Sequence, residues 1–434
     1  MTVQPNQPKI TQRLLLRTLF LALALAVVVA AYQWLQSLKG DFDLAPANTA
    51  GMIAAVQFEA DGQRVVAFSP DGKKVENPGW RSGITDRDHA WSSDGNRLFF
   101  ISDRNPDANA KDADIRAFNI FRWNPVTNSN PEQRTTSSRG RSNPNFADEV
   151  VEGAPNTALI TSGGFVLEFN PKERKTTQVL PPIGREVAIS DEESGATSQF
   201  SGLYGKFGTS FRFAKWCGKR RFIAGVMRGD EGETLVVQDT ELNAKGELPP
   251  PVPVMAGERV DFVVDPKTGR LVYSVQNFRW VTVEAIPPQF REGNKVTVPF
   301  RHGLGIHTPG QRQDEIITFS QDFTMAFGAP TIKPDGSQIA VTVGKYADSS
   351  LSPTQLILLP VTANATEARS VLLEGEVFEP NFSPDGKQLA FIRRKGGKRA
   401  IAVINSDGSG ERVVADDRDY STPKFSTQIA ASTP

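Results

Sequence analysis

Three histidines, His89, His302 and His307, are all that this chain offers toward nitrogen-ligated metal chemistry. His302 and His307 share the segment Arg-His-Gly-Leu-Gly-Ile-His-Thr-Pro at 301–309, separated by four residues and followed by Asp314 and Glu315. Two imidazoles in one loop with a carboxylate nearby form a candidate set for zinc or iron, and solvated loop histidines look the same in sequence. Asn405-Ser406-Asp407-Gly408-Ser409-Gly410-Glu411 alternates oxygen-bearing side chains as a calcium loop does. Its glycine stands too early for an EF-hand, so the stretch reads as a turn. The lone cysteine, Cys217, has no partner for a disulfide and falls in a predicted turn between Trp216 and Gly218, where it reads as an ordinary thiol. No Gly-x-Ser-x-Gly elbow occurs. The residues therefore point to no catalytic set and no cofactor.

What must position any site is written in a recurring turn. Phe68-Ser69-Pro70-Asp71-Gly72 and Phe382-Ser383-Pro384-Asp385-Gly386 are its complete copies. Trp91-Ser92-Ser93-Asp94-Gly95, Ile332-Lys333-Pro334-Asp335-Gly336 and Asn405-Ser406-Asp407-Gly408 are variants. Each follows a short apolar run rich in β-branched and aromatic residues, and most lead into another, as at Gln388 to Ile392. Asp-Gly supplies the positive φ angles of a tight hairpin, so each copy reads as strand, turn, strand. Repeat heads fall near Ala90, Asn145, Phe211, Val260, Pro330 and Asn381, with a truncated one at Thr422 to Ser426. The intervals of about forty to seventy residues hold four short strands and variable loops, the size of a propeller blade.

The segment from Glu379 to Ile392, followed by Ala400 to Gly410, resembles the repeat of TolB-like β-propellers, which also occurs in the propeller domain of prolyl oligopeptidases. The resemblance implies an all-β propeller of six or seven four-stranded blades, and for TolB-like proteins it favours six. Counting repeats gives seven, because Ile53 to Phe58 and Gln63 to Phe68 precede the first full blade while Thr422 to Ile429 follows the last. Unpaired strand edges invite aggregation, so the two ends are expected to share a composite blade. No hydrolase domain is expected after the repeats, which argues against the peptidase reading. The Ser-x-Asp-Gly turns lack the Thr-Trp of sialidase Asp boxes.

Residues 1–17 carry Lys9, Arg13 and Arg17 and no acid. Thr18 to Leu35 is uncharged and as a helix would extend about 27 Å, close to a bilayer's hydrocarbon thickness. The charge bias keeps the N-terminus in the cytoplasm and places the repeats on the periplasmic side of the inner membrane. Tyr32 and Trp34 suit the interfacial belt of a retained single-pass anchor. Val29-Ala30-Ala31 suits cleavage as a signal peptide. The absence of nearby cysteine excludes a lipoprotein anchor. Residues 36–51 read as a polar tether and 52–434 as the propeller. Forty-nine basic and forty-nine acidic residues cancel, leaving no global field to draw nucleic acid.

The longest intervals, Ile183 to Thr209 and Ile286 to Gln313, are expected to be functional loops. Their residues Tyr204, Phe207, Phe290, Arg291 and Phe300 are of the types that dominate interfaces. Arg393, Arg394 and Lys395 open a basic hairpin that runs to Arg399, and Lys215, Lys219, Arg220 and Arg221 form a second basic group. Either could dock on an acidic partner or anionic headgroups, or simply face water. The expectation is a membrane-anchored, exported propeller that binds protein partners as a non-catalytic scaffold or accessory subunit of an envelope complex. A hydrolase or lyase with a site at the channel mouth, and a glycan or peptidoglycan sensor, are the alternatives.

Overall fold

A computed structural model describes residues 48–104, 118–134, 142–146, 158–162, 165–170, 175–180, 208–230, 232–246, 248–280, 291–292, 295–296, 301–311, 314–320 and 325–428. The segment Thr18 to Leu35 lies outside them, and among the described residues no helix is long and apolar enough to cross a membrane.

The described chain is a ring of seven four-stranded antiparallel sheets. Their inner strands are Asp86–Trp91 in blade one, Ser142–Phe146 in blade two and Ser210–Cys217 in blade three. Blade four begins within Val252–Val264, blade five with the broken pair Ala326–Phe327 and Thr331–Ile332, and blade six with Val377–Phe382. Blade seven is composite. Its inner strand Asp419–Phe425 pairs with Ile53–Glu59, which leads on to Gly62–Phe68 and Lys74–Glu76. Every expected repeat head thus falls on or beside an inner strand, and the expected closure is present. The count is seven, not the six that TolB-like repeats favour, because the divergent middle repeats are blades in their own right.

Each blade buries its faces only against its neighbours, and the core is accordingly divided into seven apolar clusters, one per junction. Blades seven and one, for example, share Val56, Val65, Trp91, Phe100 and Trp123. Short strands suffice because no cluster spans the whole ring. The Asp-Gly turns work as expected. In the complete copy, Ser383 Oγ donates to Asp385 Oδ1 at 2.6 Å, which in turn accepts from the Lys387 amide at 3.0 Å, while Gly386 takes φ 69°.

Blades three and four are joined without a loop. Val252–Val264 is one thirteen-residue strand. Its first part pairs with Gly232–Asp239 and its second with Leu271–Trp280, making a continuous seven-stranded sheet. Three local expectations are corrected. His302 and His307 lie in a buried strand, His302–His307, and not in a loop, so the supposed long loop from Ile286 is interrupted by a core strand. Cys217 ends a strand and is fully buried. The closing strand is Asp419–Phe425, earlier by a few residues than expected.

Candidate binding face

Strand alternation gives the ring two unlike faces. Among the described residues, inner strands run toward the turns Ser92 to Arg97, Asp265 to Arg270, Lys333 to Gln338 and Ser383 to Gln388, and these turns collect on one face. The hairpins between second and third strands, and the passages from one blade to the next, collect on the opposite face, called here the entrance face. Leu180 and Ser210, the strand ends that bracket 181–207, belong to it, as do Trp280 and His302, which bracket 281–301. The hairpin between Gln388–Lys395 and Lys398–Asn405 opens onto it as well. The strand ends that flank 181–207 and 281–301 and the basic hairpin therefore share one face, whereas the second basic group lies on the other, in the turn between Ser210–Cys217 and Phe222–Gly229.

The chosen side chains fare unevenly. Tyr204, Phe207, Phe290 and Phe300 lie outside the described residues, and Arg291 begins the two-residue strand Arg291–Glu292. Arg393 donates to the Glu374 carbonyl at 2.7 Å and Arg394 lies 3.7 Å from Glu376, while Lys395 is exposed. Arg393 also lies 3.4 Å from Glu411, so two of the three cations have a carboxylate nearby. In the second basic group, Arg220 pairs with Glu168, and Arg221 lies 2.8 Å from Asp239 and 3.1 Å from Glu241.

Sequence reading missed a denser network at the same face. Arg212, on the inner strand of blade three, reaches Glu233 at 2.8 Å and, across the blade junction, Asp261 at 2.8 Å. Arg259 donates to the other Asp261 oxygen at 2.9 Å, and Arg228 approaches Glu233 at 3.3 Å. The carboxylates are buried, whereas the Arg228 and Arg259 side chains are 58% and 52% exposed. Burial alone would raise the Asp261 carboxyl, but the Arg212 and Arg259 guanidiniums overcome it and hold the group below the ordinary range. Across the ring, Glu379 accepts from the Thr422 amide at 2.5 Å and lies 3.2 Å from Arg399.

Guanidiniums at this face also lie over aromatic rings. Arg87 lies 4.0 Å from the Phe118 centroid, Arg212 4.7 Å from Phe213, Arg399 5.3 Å from Phe378 and Arg64 5.4 Å from Trp80. Such pairs keep the arginines extended and partly desolvated, the state in which they bind carboxylates and carbonyls best. Three inner strands bulge here with a non-glycine residue at positive φ: Asp88 at 49°, Glu379 at 53° and Thr422 at 50°. The bulge turns backbone groups toward the adjacent blade, where side chains such as Glu379 take them up.

The metal candidates do not converge. His302 and His307 stand at opposite ends of one strand, about 16 Å apart at strand rise. His307 Nδ1 lies 2.8 Å from Asp314, whose other oxygen accepts from the Tyr273 hydroxyl at 2.7 Å. This buried set braces blade four. Gly305 is required beside it, since a Cβ there would sit 2.4 Å from the Tyr273 ring. His302 accepts from the Asn277 amide at 3.1 Å and packs on Tyr346 with ring centroids 5.1 Å apart. Among the described residues no three metal-ligating side chains gather.

No family model matches the chain. It is similar to solved β-propellers. These include TolB from Acinetobacter baumannii, at 12% identity over 88% of this chain and 68% of that one, with a TM-score of 0.45. The β-propeller domain of the Trilobed protease from Pyrococcus furiosus matches at 12% identity over 76% and 82%, with a TM-score of 0.43. A putative 6-phosphogluconolactonase from Bacteroides fragilis matches at 10% over 88% and 98%, with a TM-score of 0.46. These likenesses carry no activity to this chain.

Proposed function

We propose that the chain is a non-catalytic binding module of the cell envelope, held to the cytoplasmic membrane by residues 18–35 and presenting its entrance face to a protein partner as a scaffold or accessory subunit. One observation carries the reading. The half-exposed Arg228 and Arg259, backed by buried carboxylates, stand on the same face as the strand ends that flank 181–207 and 281–301, whereas described turns of the other face, such as Ser383 to Gln388, are self-satisfied. Rigid arginine and aromatic groups on a fixed scaffold are the usual anchors of protein interfaces. A tether to the bilayer raises the effective concentration for partners in the same membrane.

The test is co-purification of the full chain in mild detergent after crosslinking. Charge reversal at Arg228 and Arg259 should reduce a stoichiometric partner by about tenfold or more. Reversal of the exposed Lys219 and Lys267 on the Asp-Gly face should leave it. Equal recovery by all three proteins, or loss only from the second variant, would place the binding surface elsewhere.

A further inference from the structure

The seven inner strands can be aligned on the residue that pairs across the turn to the second strand, as Trp91 does with Leu98 and Phe382 with Leu389. Two places before that residue, the other six blades carry Pro144, Ala214, Phe262, Pro330, Pro380 and Pro423. Blade one carries His89. The single titratable side chain at this position therefore stands at the junction of blades seven and one, where the two ends of the domain meet.

His89 is buried to 1% exposure, and neither ring nitrogen makes a hydrogen bond of good geometry, although the backbone of Ala54 and Thr422 lies close enough to favour the charged form. Its carbonyl accepts from the Lys424 ammonium at 2.8 Å, and the Trp91 indole donates to the Lys424 carbonyl at 3.1 Å. The charged groups around it can be named strand by strand. Asp419–Phe425 brings Lys424, together with the backbone of Thr422, and its Asp419 accepts from the Arg399 amide. Ile53–Glu59 brings the backbone of Ala54, its Glu59 lying 3.7 Å from Arg418. Arg64 of Gly62–Phe68 is paired with Glu76. Leu98–Ser102 and Ser142–Phe146 have no titratable residue. On its own strand, Asp86 is held by Arg104 at 2.7 Å, and Asp88 lies 3.6 Å from Arg87.

We propose that this junction is an acid-operated latch with His89 as its trigger, and that protonating the imidazole unseats Asp419–Phe425 while the other six junctions stay packed. Neutral His89 fills its place as proline does elsewhere. Protonated, it would be a buried cation beside the part-buried Lys424 ammonium, with no carboxylate among the described residues placed to meet it, and moving the strand is the available relief. Its ladder to Ile53–Glu59 is interrupted between Ala54 and Val56. Burial first, and then the Lys424 ammonium, hold the imidazole well below the ordinary histidine value of 6.5, against the backbone of Ala54 and Thr422. Because the folded value is depressed, closure is at full strength above 6.5 and weakens below it, by about tenfold per pH unit until the folded value is reached.

The experiment is hydrogen exchange of the full chain at pH 7.5 and 5.5, corrected for the intrinsic rate. Protection of 419–428 and Ile53–Glu59 should fall about tenfold at the lower pH, with Phe222–Gly229 and Gln338–Ala347 unchanged. His89→Phe, which copies blade four, and His89→Pro, which copies blades five to seven, should both lose this dependence, so one remains informative if the other does not fold. A uniform loss across all blades, no loss at the seam, or an equal loss in His89→Phe would overturn the latch.

Discussion

Thr49 Oγ1 lies 2.7 Å from Ser426 Oγ, although 377 residues separate them. Thr49 also reaches the Gly95 carbonyl at 2.6 Å, and Gln428 spans from the Thr49 amide at 2.8 Å to Asn96 at 2.7 Å. The two ends of the propeller are therefore tied to each other and to the turn of blade one. Removing residues 421–434 takes away Phe425, three pairs of the ladder and this knot, a loss of about 5 kcal/mol from one large apolar side chain and several hydrogen bonds. The calorimetric midpoint should fall by about 10 °C and the transition should broaden. A truncated protein that melts like the intact one would show that the composite blade contributes nothing.

Arg212→Ala would strand Glu233 and Asp261 in a buried site and should cost about 3–5 kcal/mol, read from the urea midpoint at neutral pH. The pH dependence follows from Asp261, whose folded value lies below the ordinary 3.8. Its contribution is present above that value and is lost as pH falls through the depressed one. Arg212→Ala should therefore flatten the loss of stability between pH 4 and more acid solutions. An unchanged acid limb would show that the pair is not coupled to folding.

The repeated turns should behave alike and independently. Asp94 and Asp385 each accept from a serine hydroxyl, at 2.5 and 2.6 Å, and both carboxyls lie below the ordinary value although burial opposes it. Alanine at either should cost about 1 kcal/mol, and the double variant the sum, because the turns share no partner. A clearly smaller or larger sum would reveal coupling through the ring.

Excess zinc should leave the melting temperature unchanged, since His302 and His307 are fixed at opposite ends of their strand. Tyr273→Phe should instead cost about 1–2 kcal/mol by leaving one Asp314 oxygen unsatisfied. A zinc-dependent rise in melting temperature that disappears in a His307→Ala variant would restore the metal reading.

Residues 18–35 should keep the mature protein in the membrane fraction, resistant to high-salt washing. N-terminal sequencing that starts at Tyr32 would identify them as a cleaved signal.

Blades one, five, six and seven could be read from sequence because each announces itself locally, as an apolar run, a serine or proline, Asp-Gly and another apolar run, whereas the middle blades keep only the spacing and weaker turns. The ends could be paired because a closed ring leaves no edge. His302–His307 escaped because Gly303 and Gly305 look like loop residues. The reason for Gly305 is the Tyr273 ring, thirty-two residues earlier and on another strand. The Arg212, Glu233 and Asp261 network escaped for a related reason, being assembled from three strands in two blades with no fixed spacing. The significance of His89 emerges only after the inner strands are set in register, since its neighbours in sequence are unremarkable polar residues.

The unbroken strand Val252–Val264 has a mechanical consequence. In a ring of seven, the junction of blades three and four lies across the axis from the composite blade. The stiffest joint, a shared backbone, therefore faces the one blade completed by a strand from the other end of the chain. A load that parts the ring will open it like a sprung clip, with the hinge line at blades three and four and the free jaws within blade seven, Asp419–Phe425 on one side and Ile53–Glu59 on the other.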